Sequence, residues 1–483
     1  MMSWNCLGVG LLLASLWGCA GTGRESVKPL PPVDPPKAAR YFSDSLSEMT
    51  KLDNASAWTD AKCSELSAAF ADAAAMDDKI RSMALHNAAI AQQRCHRDKE
   101  ARVLFQQVLD RDPGFHPARV QLARLMWASG GDQALPEVIA ELERAITDAK
   151  YQNADALVEL ARAQMRRSSE VPDKEGANDL ERAKRNLQRA LAVDDGSLPA
   201  QNQLALYYLA RAKKAAPARA ITRGVQRSSG ETQAIDLALL VATQGLKKAP
   251  NDPALLNTTG LVLVELGELP QAVKHFAKAR GLEPRFIAAH MNYASVNMMF
   301  RGFNEAEKAY RAAVALSPDD YDAHLGLALA LRGQLEATET PDKLLAESER
   351  LLVAAKKIDP ARPEAYFNHA VLVEQYKARE GGKQANKALG EAIGLYREFV
   401  KRAEGKPELA DAVFDVVAKP HGEERDCMGA RGRTDRACKR GRILDAQDII
   451  AFNEQNEAEQ ARMREEMATA AARREAHSEV QPN

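Results

Sequence analysis

The sequence has no excess of charge of either sign. Its 483 residues contain 66 Lys and Arg against 67 Asp and Glu, which gives a formal net charge of -1. Proteins that hold nucleic acid carry a clear excess of basic residues, so this balance argues against nucleic acid as a partner. Aromatic residues make up only 5% of the chain, and strand-like runs of aromatic and β-branched residues are scarce. Strong helix formers dominate instead, which favours an all-α fold.

The sequence also lacks the motifs of common catalytic sites. It contains no HExxH metal helix, no GxSxG elbow and no GxxxxGK[ST] phosphate loop. The stretch from Gly381 to Gln384 lacks the glycine spacing and the hydroxyl group of a phosphate loop. The cysteines show no CxxC spacing, and His96 and His421 are too irregularly placed to suggest a zinc site. We therefore expect no enzyme activity and no metal. The one cofactor that we expect is a covalent lipid, which the N-terminal sequence indicates.

The N-terminus contains a short apolar run, Leu7 to Trp17, which is too short to span a bilayer. It ends in Leu16-Trp17-Gly18-Cys19, which resembles the lipobox of bacterial lipoproteins. The resemblance implies that residues 1–18 are a signal peptide and that the sulfur of Cys19 carries a diacylglycerol. With Ala20 rather than Asp after the cysteine, it also implies an outer-membrane lipoprotein facing the periplasm. Met1 to Asn5 lack the usual Lys or Arg, and the alternative is an apolar N-terminus with a chance cysteine.

Five prolines lie between Val27 and Lys37. Proline favours extended polyproline II and opposes helix, so residues 19–40 are predicted to form a stiff tether. The alternative is a disordered exported N-terminus. Either interpretation places the start of the fold near Tyr41, with residues 41–81 forming an N-terminal helical cap.

A repeat with a period of 34 residues occupies the middle of the chain. Pro250, Pro284 and Pro318 follow one another at this spacing. Each proline closes a unit that carries small and aromatic residues at fixed positions, which resembles the tetratricopeptide pattern W-x2-L-G-x2-Y, A-x3-F, P. The residues that match are Leu256, Gly260, Leu263, Ala272, Phe276 and Ala279 in one unit, and Tyr293, Ala294, Ala306, Tyr310 and Ala313 in the next.

The resemblance implies an all-α, right-handed solenoid of stacked antiparallel helix pairs. Weaker copies extend it over residues 82–405, with about eight repeats, several of which carry insertions. The insertions expected as loops are Ser168 to Asp179, Ala216 to Gly230, Leu335 to Lys343 and Lys377 to Lys387. Residues 406–483 contain a basic, cysteine-framed loop and a long charged C-terminal helix, which caps the solenoid or docks on a partner. Asp445 resembles the N-cap of that helix.

In tetratricopeptide proteins the first helix of each pair lines the concave face and binds a partner peptide or helix. Carried over to this sequence, the partner-binding groove includes Asn257, Met291, Asn292, Met298, Met299, Phe367 and Asn368. Asn292 and Asn368 are expected to bind a ligand backbone through their amides, and the methionines to offer adaptable apolar contacts. The alternative is that the methionines pack between helices. The groove shows no basic set for clamping a carboxylate.

Four cysteines remain after the signal peptide and Cys19. Because each pair is local, we expect Cys63 to join Cys95 and Cys427 to join Cys438; free buried thiols are the alternative. The second pair frames a basic loop. This loop is a candidate for contact with lipid phosphates, an acidic partner or cell-wall carboxylates. The alternative is a solvated loop whose charge only aids solubility. The loop's basic residues are Arg431, Arg433, Arg436, Lys439, Arg440 and Arg442.

The resemblance to tetratricopeptide lipoproteins implies a lipid-anchored scaffold for other envelope proteins. Similar lipoproteins assist pilus secretins, regulate cell-wall enzymes or belong to the gliding motility machinery of myxobacteria. Of these, the lipoprotein of the gliding machinery looks most like this chain in its length, its Ala- and Arg-rich composition, the proline-rich tether and the basic C-terminal tail. A regulator of one cell-wall synthase or hydrolase, or a pilotin-like assembly factor, remains the alternative.

Overall fold

The computed structural model describes residues 33–55, 57–215, 228–380, 382–418 and 441–478. Nearly all of these residues are helical, and the described part contains no strand, only one isolated bridge between Asp173 and Gly176. The chain divides into two compact units at residues 159 and 160, within the seventh helix. None of the described helices is both long and apolar enough to cross a membrane.

The first unit is a run of helices joined by short turns, and the first six helices pack against their neighbours in the chain. A disulfide joins Cys63 to Cys95, with their Cα atoms 6.3 Å apart, and ties the second helix to the end of the third. This is the pair expected from the sequence. The helices are α1 (Pro35–Ala55), α2 (Asp60–Met76), α3 (Arg81–Arg94), α4 (Asp98–Arg111), α5 (His116–Gly130), α6 (Leu135–Asp148) and α7 (Ala154–Arg167).

The predicted boundary of the tether at residue 40 is wrong. Helix α1 begins at Pro35, inside the proline-rich segment. Proline is tolerated in the first turn of a helix, where the missing N–H would have no intrahelical acceptor. Asp34 supports this start because its side chain accepts a hydrogen bond from the backbone N–H of Lys37 at 3.1 Å.

The second unit continues the same architecture as an all-α solenoid of the tetratricopeptide type. The eight pairs from α3 with α4 to α17 with α18 occupy the region expected to hold about eight repeats. The helices are α8 (Asp179–Val193), α9 (Leu198–Ala215), α10 (Ser229–Lys248), α11 (Pro253–Leu266), α12 (Leu269–Leu282), α13 (Ile287–Met299), α14 (Phe303–Leu316), α15 (Tyr321–Arg332), α16 (Pro341–Ile358), α17 (Glu364–Tyr376), α18 (Gly382–Ala403), α19 (Ala410–Val417) and α20 (Arg442–Ser478).

Close approach of glycine to aromatic rings sets the packing of the central pairs. A β-carbon added at Gly260 would lie 2.5 Å from the ring of Phe276, and one added at Gly326 would lie 2.4 Å from the ring of Tyr310. The rings therefore occupy the space that side chains at these two positions would need. Phe276 is fully buried and also packs near Val296 of the next pair. The repeat pattern thus corresponds to an alternation of small and large residues across helix interfaces.

The insertions differ in structure. Residues 168–178 form a loop, whose end is held by the fully buried carboxylate of Asp179. This carboxylate accepts hydrogen bonds from Arg167 at 2.7 Å and from Arg182 at 2.7 Å. Residues 216–227 lie outside the described part.

The prediction of a loop from Lys377 to Lys387 is wrong. This stretch contains a 3-10 turn, Lys377–Glu380, and the first residues of α18. Helix α18 needs this start to complete its packing, since Ala385, Ala388 and Leu389 are all buried. Tertiary burial therefore outweighs the low helix propensity of the glycines there.

The C-terminal helix begins at Arg442, so the prediction of Asp445 as its N-cap is wrong. The start is fixed by packing, because Ala446 is buried against Leu389 and Ile393 of α18. From Ala458 to Thr469 every side chain of this helix is exposed. The helix thus docks on α18 at its beginning and is uncovered, within the described structure, further along.

Candidate functional site

Two of the three asparagines predicted in the groove, Asn257 and Asn292, are hydrogen-bonded to each other. The Asn292 amide nitrogen donates to the Asn257 side-chain oxygen at 2.8 Å, and Asn257 is 7% exposed. A similar bond joins Thr258 to Asn202 of the preceding pair at 2.6 Å. These polar contacts link the first helices of neighbouring pairs. Asn257 is therefore a structural residue, and the amide nitrogen of Asn292 is already engaged.

The three predicted groove methionines fall into two groups. Met291 and Met298 are half-buried and pack against a core cluster that includes Tyr310 and Leu327. Met299 is 57% exposed, and its neighbour Phe300 is 51% exposed. The first two methionines thus follow the packing alternative, while Met299 and Phe300 form an open apolar surface at the end of α13.

The predicted residues on α17 also have defined partners. The ring of Phe367 is half-buried and lies 5.1 Å from the ring of Phe399 and 6.0 Å from that of Tyr396. Asn368 donates to the backbone oxygen of Glu364 at 2.8 Å and accepts from Nη1 of Arg332 at 3.2 Å. Phe367 therefore belongs to the core at this end of the unit, and Asn368 positions an arginine.

Arg332 is a candidate binding residue that the sequence analysis missed. Its side chain is half-buried at the end of α15, and within the described structure no carboxylate forms an ion pair with it. Burial is the largest effect on the pKa of the Arg332 guanidinium and lowers it; Tyr376 and Tyr396 partly oppose this shift, and Arg442 adds slightly to it. Asn368 is neutral and cannot balance the charge. A partly desolvated cation without a counter-ion is stabilised by any anion that reaches it.

Arg442 is the one predicted basic-loop residue that the structure describes. Its Nη1 donates to Oε2 of Glu374 at 2.7 Å, and the Tyr396 hydroxyl donates to the same oxygen at 2.6 Å. Arg332, Asn368, Glu374, Tyr396 and Arg442 are named here the arginine cluster. It brings together α15, α17, α18 and α20, with two arginines and one carboxylate. Arg431, Arg433, Arg436, Lys439 and Arg440 lie outside the described residues, as do Cys19, Cys427 and Cys438.

A second polar cluster lies on α16, α17 and α18. Possible metal ligand atoms of Glu349, His369 and Glu391 lie within 4.8 Å of one another. However, the Lys356 ammonium donates to Nδ1 of His369 at 2.7 Å, and the Lys377 ammonium donates to Glu349 at 2.6 Å. The two lysines already supply the positive charge that the carboxylates need. The arrangement is therefore a network of hydrogen bonds and ion pairs around Glu349 and His369, with Glu391 of α18 close by.

Comparison with known proteins gives distant similarity only. No family model matches the chain, and no curated protein matches it. A thermophilic TPR protein of Thermus thermophilus is 22% identical, with 45% of this chain and 99% of that chain covered and a TM-score of 0.37. The Cut9-Hcn1 hetero-tetramer of the APC/C is 15% identical, with 70% and 55% covered and a TM-score of 0.46. YrrB, a TPR protein with an unusual peptide-binding site, is 18% identical, with 46% and 95% covered and a TM-score of 0.29.

Proposed function

We propose that this chain is a protein-interaction scaffold whose partner places an anionic group against Arg332. The observation that carries the proposal is the half-buried guanidinium of Arg332, whose one hydrogen-bond partner in the described structure is the neutral side chain of Asn368. Partial burial of a charge without a counter-ion costs solvation free energy in the chain alone. A partner carboxylate or phosphate would supply a charge-assisted, bidentate hydrogen bond at this position.

The architecture supports a macromolecular partner. Met299, Arg332 and Asn368 lie on α13, α15 and α17, which are the first helices of three successive pairs in the second unit. Met299 and Phe300 together expose apolar surface. Apolar and charged contacts spaced along stacked helices suit an extended peptide or a helix better than a small molecule. Stacked repeats are well suited to this role because each added pair extends the surface without requiring a larger core.

The proposed location is the outer membrane, with the chain held by a lipid on Cys19 and facing the periplasm. The support is the Leu16-Trp17-Gly18-Cys19 sequence, followed by Ala20. We further propose that the scaffold serves an envelope-spanning machine, with gliding motility as the process. The support for this finer step is the overall resemblance of composition, repeats and tail described from the sequence.

The experiment that tests this proposal is cross-linked affinity capture of the full-length chain from its native cells. Recovery of several envelope proteins, including an outer-membrane barrel or an inner-membrane motor, is the expected result. Recovery of a single murein synthase or hydrolase would replace the scaffold with a cell-wall regulator, and a secretin alone would indicate an assembly factor. A Cys19→Ser variant tests the anchor separately. It should leave the membrane fraction, and continued membrane retention would contradict lipid anchoring.

A further inference from the structure

A cationic cavity lies between α8 and α9, on residues separate from the arginine cluster. Its volume is about 510 Å³, which falls within the range of small-molecule sites. Four basic side chains line it against one acidic side chain, in a protein whose net charge is only -1. The full lining is Asn178, Leu180, Glu181, Lys184, Arg185, Gln188, Tyr207, Arg211 and Lys214.

Two of the four cations lie near carboxylates. Lys214 forms an ion pair with Glu170, and Arg185 lies 4.0 Å from Glu175. The acidic residue of the lining, Glu181, accepts a hydrogen bond from the backbone N–H of Ala177 at 3.2 Å. Its negative charge is therefore partly engaged in holding the start of α8.

The other two cations, Lys184 and Arg211, have no ion-pair partner among the described residues. Lys184 is half-buried on α8, and Arg211 on α9 hydrogen-bonds to the side chain of Tyr207. Two unbalanced cations from facing helices raise the electrostatic potential inside this concave, solvent-accessible space. Such a space concentrates anions from solution.

The mixture of side chains favours phosphate over carboxylate. One arginine fork saturates the two oxygens of a carboxylate, whereas the oxygens of a phosphate accept contacts from several directions at once. Lysine is a common point-charge ligand of phosphate, and the amides of Asn178 and Gln188 add neutral donors for the rest of a ligand. The cavity volume also exceeds that of a free phosphate ion, so the cavity has room for the organic part of a phosphate compound.

From these observations we propose that the cavity between α8 and α9 binds a phosphate-bearing small molecule, with Lys184 and Arg211 as its anion ligands. The site is independent of the proposed scaffold function. A macromolecular partner at Arg332 and a phosphate compound between α8 and α9 would contact different residues, so each proposal is testable without the other.

The test is isothermal titration of the full chain with inorganic pyrophosphate at low ionic strength. Saturable binding is expected in the unchanged chain. Lys184→Gln and Arg211→Gln should each weaken it by about fivefold or more, and the double variant should abolish it, because each change removes a charge-assisted bond. Lys213→Gln is the matched control. Lys213 lies on the same helix as Arg211 but is ion-paired with Glu265 at 3.0 Å, so its loss should leave the affinity unchanged.

Circular dichroism of each variant distinguishes lost binding from lost folding. All the substituted side chains are at least partly exposed, and we expect native helicity throughout. Binding that survives in the folded double variant, or absence of binding in the unchanged chain, would overturn the proposal. Titration with citrate provides the carboxylate comparison. We expect weaker binding than for pyrophosphate, and equal or tighter binding would contradict the assignment to phosphate.

Discussion

Phe276 occupies the space next to Gly260 so closely that position 260 has no room for a side chain. The nearest ring atom, Cε1, would lie 2.5 Å from an added β-carbon. The two residues belong to the two helices of one pair, so their contact sets how closely α11 and α12 approach. This relationship explains why a small residue and an aromatic residue recur at matching positions of the repeat.

Gly260→Ala should destabilise the second unit by about 1–3 kcal/mol, the usual cost of overpacking a core, despite the higher helix propensity of alanine. Chemical denaturation followed by circular dichroism measures the change. Gly281→Ala on α12 is the control, because an added β-carbon there has no heavy atom within 4 Å. That variant should be neutral or slightly more stable. If both variants behaved alike, the close approach would not govern stability.

The Cys63–Cys95 disulfide should stabilise the first unit. It closes a loop with a sequence separation of 32 residues. A cross-link of this span stabilises a fold by about 2–4 kcal/mol, mainly by restricting the unfolded chain. Thermal unfolding with and without a reductant should therefore show a lower midpoint for the reduced protein. The Cys63→Ala/Cys95→Ala variant should unfold like the reduced protein and should not respond to reductant. A response equal to that of the unchanged protein would mean that another cysteine is responsible.

His86 should make the first unit sensitive to acid. Its ring lies between Phe105 and Phe115, at 5.3 and 5.5 Å, and its Nδ1 is buried without a hydrogen-bond partner in the described structure. Burial lowers the pKa of His86 to about 4. The unfolded chain, with an ordinary histidine pKa near about 6.5, then binds the proton more readily than the folded one. The contribution of His86 to the free energy of unfolding is therefore complete above about pH 6.5. It is lost progressively as the pH falls from there toward 4.

The loss should amount to at most about 3 kcal/mol over this range, from the difference between the two pKa values. Urea denaturation at a series of pH values measures it. His86→Leu should flatten the dependence between pH 6.5 and 4, since leucine cannot be protonated and suits the apolar site. His96→Gln serves as the control at an exposed position and should keep the acid sensitivity of the unchanged protein. A His86→Leu variant with the original pH dependence would show that other groups control it.

The helix pairs were predictable because their signals are local. Prolines 34 residues apart and small residues opposite aromatic ones define each pair before any contact is known. The roles of individual groove residues were less predictable. Asn292 has a residue type suited to binding a ligand backbone, but its amide nitrogen donates to Asn257 of the preceding repeat, and sequence spacing does not reveal that orientation.

Arg332 illustrates the opposite case. Nothing in its sequence neighbourhood separates it from the other basic residues of the chain. Its significance depends on the absence of an ion-paired carboxylate among the described residues and on the approach of Arg442, which lies far along the chain. Such a property appears only when distant segments are brought together. The start of α1 at Pro35 differs from the prediction for a simpler reason. A cluster of prolines generally indicates a segment without helix, but a proline in the first turn of a helix is tolerated.

The measurement that tests the central claim most directly is capture of partners by an Arg332→Gln variant. Arg379→Gln is the matched control, since Arg379 is exposed and ion-paired with Glu336. Both variants keep a polar side chain and should retain native helicity. We expect Arg332→Gln to lose at least one cross-linked partner or to weaken its binding about tenfold or more, as expected for a desolvated charge-assisted contact, while Arg379→Gln retains the full set. Unchanged capture by a folded Arg332→Gln variant would contradict the proposal that this arginine anchors a partner.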